Sequence, residues 1–373
     1  MTAGRSISTF DFRFTNYYIN SWFPPMTEPF VTILVPIRNE ENWITPCLAS
    51  LCDQDYPAER MEILVLDGES TDHSAQLVYR LMQEDCRIFL LTNRKRAQAA
   101  GLNKGIRQAR GEIIIRADAH AIYGNSYVSR CVEHLCAERA ENVGGLQRGM
   151  GTSPFSSALS VAMQSTLGAG NASYRVATEQ CYVDTVWLGA WQRKTLLELG
   201  GFNEDLTANE DYELNWRLRK AQGRVLLDPE LPGCYFPRNS YLTLCRQYFR
   251  YGIGKVQMLC MHPESLLPRQ LAAPLLVGGL GMMAALAHFT RLPLLVLLAL
   301  YLAVLLLGSV QAGRKQGWRH IAYLPGIFLA MHLAWGLGFY WGLLRFGPLT
   351  TWMTDSLTTS NPRQELALSE PTT

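Results

Sequence analysis

From Val31 onward, short aliphatic and β-branched runs alternate with stretches in which apolar positions recur every three to four residues. A short continuous apolar run between polar clusters suits a buried strand, and the intervening periodicity suits helices. The pattern predicts strands at Val31–Pro36, Met61–Asp67, Arg87–Leu91 and Glu112–Asp118, with helices at Glu41–Leu51, Asp72–Gln83 and Ala97–Ala109 between them. Ser70-Thr71-Asp72 opens the second helix with residue types that cap free N–H groups well. Such alternation gives an α/β fold with a mostly parallel sheet. From Gly144 to Pro237 the pattern weakens and reads as loops with shorter helices.

Beyond Pro268 the character changes. Nearly all acidic residues lie before it, and the runs Leu271–Phe289, Leu294–Ala312 and Ile321–Leu344 after it are strongly apolar. Each is close to the ~20 residues that a helix needs to cross a hydrocarbon core. Just ahead, Tyr241–Tyr251 mixes Arg with Tyr and Phe, the composition of an amphipathic helix at a membrane interface. The expected organisation is an N-terminal extension (1–29), a catalytic domain (30–238), an interfacial segment (239–268), three transmembrane helices (269–345) and a tail (346–373). Residues 1–30 lack the apolar core and cleavage site of a secretory signal. The basic loop Gly313–His320 is expected on the cytoplasmic side. Together these predict a multi-pass protein of the inner (plasma) membrane with a cytoplasmic catalytic domain and an external tail.

A formal charge of +2, with basic residues scattered through helices, argues against a nucleic-acid partner. The nine cysteines contain no Cys-x-x-Cys pair, which fits a reduced compartment. Cys47 with Cys52 and Cys131 with Cys136 share a spacing that leaves a four-thiolate zinc site open beside the simpler reading of small buried thiols.

Polar residues gather where the predicted strands end: Arg38, Asn39 and Glu40 after the first, Asp67 to Asp72 at the second, Asp118 and His120 at the fourth. Ligands of open α/β sheets bind beyond the carboxyl ends of the strands, so these clusters are expected to share one crevice. A divalent ion between two phosphates needs oxygen or imidazole ligands fixed at a strand end, which Asp118 and His120 offer. Asp72 is read as a structural helix cap, and Asn103 and Gly105 as packing residues.

Several stretches in order resemble the family-2 glycosyltransferases of GT-A fold (a Rossmann-like nucleotide-sugar domain), and among them the membrane-bound, ExoA-like subgroup. They are Val31-Thr-Ile-Leu-Val-Pro-Ile-Arg-Asn-Glu-Glu41, Asp67-Gly-Glu-Ser-Thr-Asp72, Arg116-Ala-Asp118-Ala-His120, Gly200-Gly-Phe-Asn-Glu204, Asn209-Glu-Asp211 and Gln247-Tyr-Phe-Arg250-Tyr251. The resemblance spans about Pro29 to Lys255 and implies an inverting transfer of a hexose, glucose first, from a UDP-sugar to a polyprenyl-diphosphate-linked or other lipid acceptor in exopolysaccharide synthesis. It implies that Pro36, Arg38 and Glu40 flank the base and ribose, and that Asp67 meets the uracil. Asp118 and His120 would hold Mn or Mg, with histidine standing where the wider family has a second carboxylate. Asp211 would be the catalytic base with Glu210 beside it, and Arg250 would approach the diphosphate. Asp184 and Gln247 would face the acceptor, with Trp191 or Trp187 stacked on a sugar face. The competing class is a non-catalytic subunit that binds nucleotide-sugar or scaffolds a polysaccharide assembly complex. A nucleotidyltransferase is disfavoured, because no Gly-rich phosphate loop follows the first strand.

Overall fold

The computed structural model describes residues 28–347, apart from Asn171 and Thr207. The expected N-terminal extension and the C-terminal tail from residue 348 fall outside the described residues.

Strands β1 (Val31–Ile37) and β2 (Met61–Asp67) are apolar runs buried on both faces, and they pair in parallel from Val31–Met61 to Ile37–Asp67. β3 (Ile88–Thr92) extends the sheet beyond β2, and β4 (Ile113–Arg116) pairs with β1 on its other side. Helices α1 (Ile44–Cys52), α2 (Ser74–Glu84) and α3 (Gln98–Gln108) make the crossovers. All four strands and three helices stand where the sequence places them. The fourth strand stops at Arg116, which leaves Asp118 on the emerging loop.

The second half carries more sheet than its pattern predicts. After β5 (Ala121–Tyr123) and α4 (Tyr127–Cys136) come β6 (Asn142–Gly145) and the two-residue β7 (Arg148–Gly149). Helices α5 (Pro154–Met163), α6 (Thr166–Ala169) and α7 (Ser173–Val176) come next, then β8 (Cys181–Tyr182), β9 (Trp187–Gln192) and α8 (Arg193–Glu198). Helix α9 (Glu210–Lys220) leads to β10 (Val225–Leu227) and β11 (Gly233–Tyr235). The main sheet runs β3-β2-β1-β4-β9-β6-β10-β8, and β5, β11 and β7 form a small second sheet. β9 runs antiparallel between β4 and β6. Gly144–Pro237 is therefore not mainly loop, since β6, β8, β9 and β10 supply half of the main sheet. Those strands are two to six residues long and take their stability from neighbours distant in sequence.

Two apolar layers sandwich the sheet. Ile33, Val35 and Ile63 pack with α1 and α4 on one face, while Leu34, Leu66 and Ile114 pack with α3 and Leu214 of α9 on the other. Helix α10 (Tyr241–Met261) leaves this domain and is followed by α11 (Ala272–Leu286), α12 (Leu292–Gln316) and α13 (Leu324–Phe346). Pro268–Leu286, Leu292–Gln316 and Leu324–Phe346 are long and apolar enough to cross a membrane. Helix α10 lies tightly along α13. A Cβ on Gly252 would fall 2.3 Å from the Trp335 carbonyl oxygen, and one on Gly338 would fall 2.1 Å from that of Phe249. Small residues of this kind let two helix backbones approach closely.

Candidate active site

The sheet order 3-2-1-4 reverses direction between β1 and β4, so a crevice opens where their carboxyl ends diverge. The loops after β1 and β2 are tied together there. Asn39 N–H donates to Ser70 Oγ (3.0 Å), Thr71 N–H to Asn39 Oδ1 (2.8 Å), Glu40 N–H to Ser74 Oγ (2.7 Å) and Glu41 N–H to Asp72 Oδ2 (3.1 Å). Asn39 at φ 59° and Glu69 at φ 55° hold the left-handed turns that this lacing requires. Asp72 is spent on Glu41 and Ser74, in keeping with a structural role. Pro36, exposed Arg38, Glu40 and buried Asp67 lie along this double loop. Asp67 Oδ1 accepts from Ser70 N–H (3.0 Å).

Opposite stands the loop after β4. Tyr123 is buried, and its hydroxyl accepts from the Asp118 N–H at 2.7 Å, which fixes the aspartate's backbone. His120 Nδ1 lies 3.5 Å from Glu40 Oε1, joining the β4 loop to the β1 loop across the crevice. Burial works against the imidazolium of His120, but the Glu40 contact and the charges of Asp118 and Glu40 raise its pKa above the ordinary value.

Arg116 ends β4 and is 6% exposed. Its Nη2 lies 3.6 Å from Asp118 Oδ1 and its Nη1 lies 3.2 Å from Glu210 Oε1. Nε and Nη1 nonetheless have no well-aligned acceptor among the described residues. Glu210 and Asp211 start α9 behind Asn209, whose φ of 68° turns the chain into the helix. Burial raises the Asp211 pKa above the usual carboxylate range, with the Glu210 charge adding to it and Arg116 opposing it. One buried guanidinium thus faces three carboxylates. That excess of negative charge suits a divalent cation, and the unaccepted guanidinium donors suit phosphate oxygens.

Asp118 and His120 present one carboxylate and one imidazole. Among the described residues no cluster of three or more His, Cys, Asp or Glu side chains is assembled to hold a metal. The pair therefore fits an ion whose remaining ligands come from substrate. The thiolate zinc alternative fails on the same observation, and Cys47 and Cys131 are simply buried.

A cleft of about 670 Å³ joins Asp118, His120, Arg116, Glu210 and Asp211 to α10 and onward to the apolar spans. Gln247 and Arg250 also line it, with Gln247 Nε2 donating to Tyr251 Oη at 2.8 Å. Two acceptor assignments need correction. Trp191 is fully buried against Phe202 on the far face of the sheet, whereas Trp187 lines the cleft. Leu188 between them has φ 61°, which breaks the two-residue alternation of the strand. Asp184 does not line the cleft, and its carboxylate pairs with Arg269 at 2.5 Å. Asn103 proves structural, exchanging 2.8 Å hydrogen bonds with both backbone groups of Phe202.

Sequence reasoning gives no role to Arg116 or Lys255. Arg116 closes a strand otherwise made of three isoleucines, an anomaly legible in the sequence. Lys255 is 3% exposed, lines the cleft and donates to the Ser265 carbonyl oxygen at 3.0 Å. Burial, helped by Arg269, lowers its pKa to about 8. It shares a helical face with Tyr248, seven residues earlier.

The helix that carries Asp211 is braced from behind. Buried Glu213 accepts from Arg217 Nε at 2.8 Å and lies 3.1 Å from His262 Nε2, while Arg217 Nη2 donates to the Gly201 carbonyl oxygen at 2.7 Å.

The sequence profile described as glycosyl transferase family 2 matches residues 32–178. The succinoglycan biosynthesis protein ExoA of Rhizobium meliloti is 30% identical over 324 residues, covering 86% of this chain and 97% of its own. A dolichyl N-acetyl-glucosaminyl phosphate diacetamido-glucuronosyltransferase of Methanococcus voltae is 30% identical over 240 residues, covering 62% and 74%. Among solved structures, the mannosyltransferase PcManGT of Pyrobaculum calidifontis, in complex with GDP-Man and Mn2+, superposes with a TM-score of 0.59 at 23% identity, over 83% of this chain and 88% of that one. The last likeness bears on the fold alone and gives it as GT-A. Alignment with the Rhizobium protein from catalytic domain through apolar helices carries the kinship further, and by it this chain belongs to glycosyltransferase family 2 and is a glycosyltransferase.

Proposed function

We propose that the protein transfers a hexose, glucose first among candidates, from a UDP-sugar to a hydroxyl of a membrane lipid-linked acceptor, with inversion at the anomeric carbon. The observation that carries this reading is the continuity of one cleft from Asp118 and His120, past Asp211, to Met331 and Trp335 on the last span. A site built in this way meets a soluble nucleotide at one end and an acceptor anchored in the bilayer at the other.

In this reading Asp67, Arg38, Pro36 and Glu40 bind the base and ribose. Asp118 and His120 would hold a divalent cation, Mn or Mg, which when bound supplies charge neutralisation at the leaving diphosphate. Arg116, with Arg250 from α10, donates to the same oxygens. Asp211 accepts the acceptor's proton as that oxygen bonds to the anomeric carbon and the bond to the diphosphate breaks, so UDP departs with the electron pair. Its raised pKa suits a base working near neutrality, and Glu210 helps to set it. Gln247 and Trp187 face the incoming acceptor. Kinship with a succinoglycan biosynthesis protein supports a role in exopolysaccharide synthesis, and in this reading the acceptor is carried on a polyprenyl diphosphate and handled within a polysaccharide assembly complex. The basic end of α12 supports a plasma-membrane orientation with the catalytic domain in the cytoplasm.

The test is release of nucleoside diphosphate from a panel of nucleotide-sugars by membranes holding the protein and native lipid extract, with Asp211→Asn alongside. Donor-selective release that disappears in the variant supports the reading. Equal release by both removes Asp211 as the base, and no release from either with a verified acceptor present favours a binding or scaffold subunit.

A further inference from the structure

A second cavity, of about 570 Å³, lies between the catalytic domain and the last turns of α12. Arg148, Arg175 and Lys315 line it together with Gln164, Gln311 and Gln316, and among the described residues no Asp or Glu does. Arg148 Nη2 donates to the Pro229 carbonyl oxygen at 2.6 Å and Arg175 Nε to Gln147 Oε1 at 3.1 Å. Both guanidiniums are therefore held in place by neutral partners, and among the described residues no carboxylate pairs with either. Three cations around one cavity repel one another unless an anion sits among them, and the amides offer further donors to its oxygens.

Position decides which anion. The cavity's floor is the end of a 25-residue apolar helix whose last turn carries Arg314 and Lys315. That is the depth of the phospholipid headgroups on the side where basic loops reside. We infer that this cavity binds the phosphate of an anionic phospholipid, at a site separate from the transfer centre. Arg175 also lines the catalytic cleft, so a headgroup held here also steadies one residue of that cleft.

The test uses the full chain in bilayer nanodiscs of phosphatidylcholine containing a minor share of phosphatidylglycerol, with retained lipid counted by native mass spectrometry after mild delipidation. The wild type should retain phosphatidylglycerol in preference. Arg148→Gln with Lys315→Gln should lower that preference roughly tenfold or more, given about 1 kcal/mol for each basic residue near an anionic surface. Arg314→Gln with Arg291→Gln, equal in charge removed but outside the cavity, should lower it by a clearly smaller factor. If the first pair melts early, Lys315→Glu alone must still abolish the preference. Equal retention of both lipids, or equal losses in both pairs, overturns the proposal. So does displacement of the retained lipid by inorganic phosphate, which would make the site one for a soluble anion. No sugar transfer enters the readout, so failure here leaves the transferase reading where it stood.

Discussion

Arg116 Nη1 lies 3.2 Å from Glu210 Oε1, which joins the last residue of a central strand to the first residue of the helix bearing Asp211. Nη2 of the same side chain reaches Asp118 at 3.6 Å. The guanidinium therefore joins the loop after β4 to the start of α9, and in the proposed reading the diphosphate lies against it.

Replacing it tests both roles. Arg116→Met leaves Asp118, Glu210 and Asp211 without their buried counter-charge, and loss of one member of such a group costs on the order of 3–5 kcal/mol. The variant should melt well below the wild type and bind UDP weakly. Arg116→Lys should recover much of the stability but little of the UDP affinity, because an ammonium cannot span both loops. UDP binding by the lysine variant equal to wild type would show that the guanidinium geometry is irrelevant to the nucleotide.

Asp211 makes opposite predictions for stability and turnover. Its folded pKa is raised, so between the unfolded and folded values the native state binds more protons, and stability falls as pH rises through the folded value. At neutral pH Asp211→Asn removes that penalty, and the variant should melt slightly above the wild type, with the difference vanishing below about pH 4. Turnover should nonetheless drop on the order of 10²–10⁴-fold. In the wild type, the acid limb of kcat/KM should fall at a pH above the ordinary aspartate range. Activity that persists undiminished to pH 4 would exclude Asp211 as the base.

The metal prediction rests on a donor pair completed by substrate. Exhaustive chelation should abolish UDP release, and Mn should restore more of it than Mg, because imidazole is a better ligand for Mn. His120→Asp should move the preference toward Mg. Glu40→Gln, which weakens the contact to His120 Nδ1, should raise the metal concentration needed by about 10–100-fold. Full turnover after chelation would remove the metal from the mechanism.

The front half of the site is legible in the sequence because local pattern and chemistry agree there. β1 and β2 are apolar runs interrupted only by Thr32 and Glu62 before β2 ends at Asp67, and residues at and after their ends, from Arg38 to Glu41 and from Asp67 to Ser74, lace the crevice. The back half is not. β8 and β10 are two and three residues long and exist only through distant partners. Trp191 misleads because strict alternation puts it on the same face as Trp187, and nothing in the sequence announces a left-handed Leu188. Lys255 stays hidden because a lysine on a helix reads as solvated until the packing of α9 and α10 encloses it.

The packing of α10 on α13 should govern the acceptor more than the donor. Gln247 and Lys255 enter the cleft from α10, and Arg250 is the one donor contact proposed for that helix, whereas the residues proposed for the base and ribose lie at the ends of β1 and β2. At Gly338 a side chain would meet the backbone of Phe249, only 2.1 Å from its carbonyl oxygen, so no rotamer change relieves the clash and the helices must separate. Gly338→Leu should therefore raise KM for the lipid acceptor and lower the melting temperature in detergent, while UDP affinity falls by a smaller factor, since Arg250 is the one proposed donor contact that α10 carries. Phe249→Ala leaves the carbonyl in place and should not rescue the variant, which separates a backbone clash from a side-chain one. Equal damage to donor and acceptor binding would instead mean that the domain and its apolar helices fold as one unit around this contact.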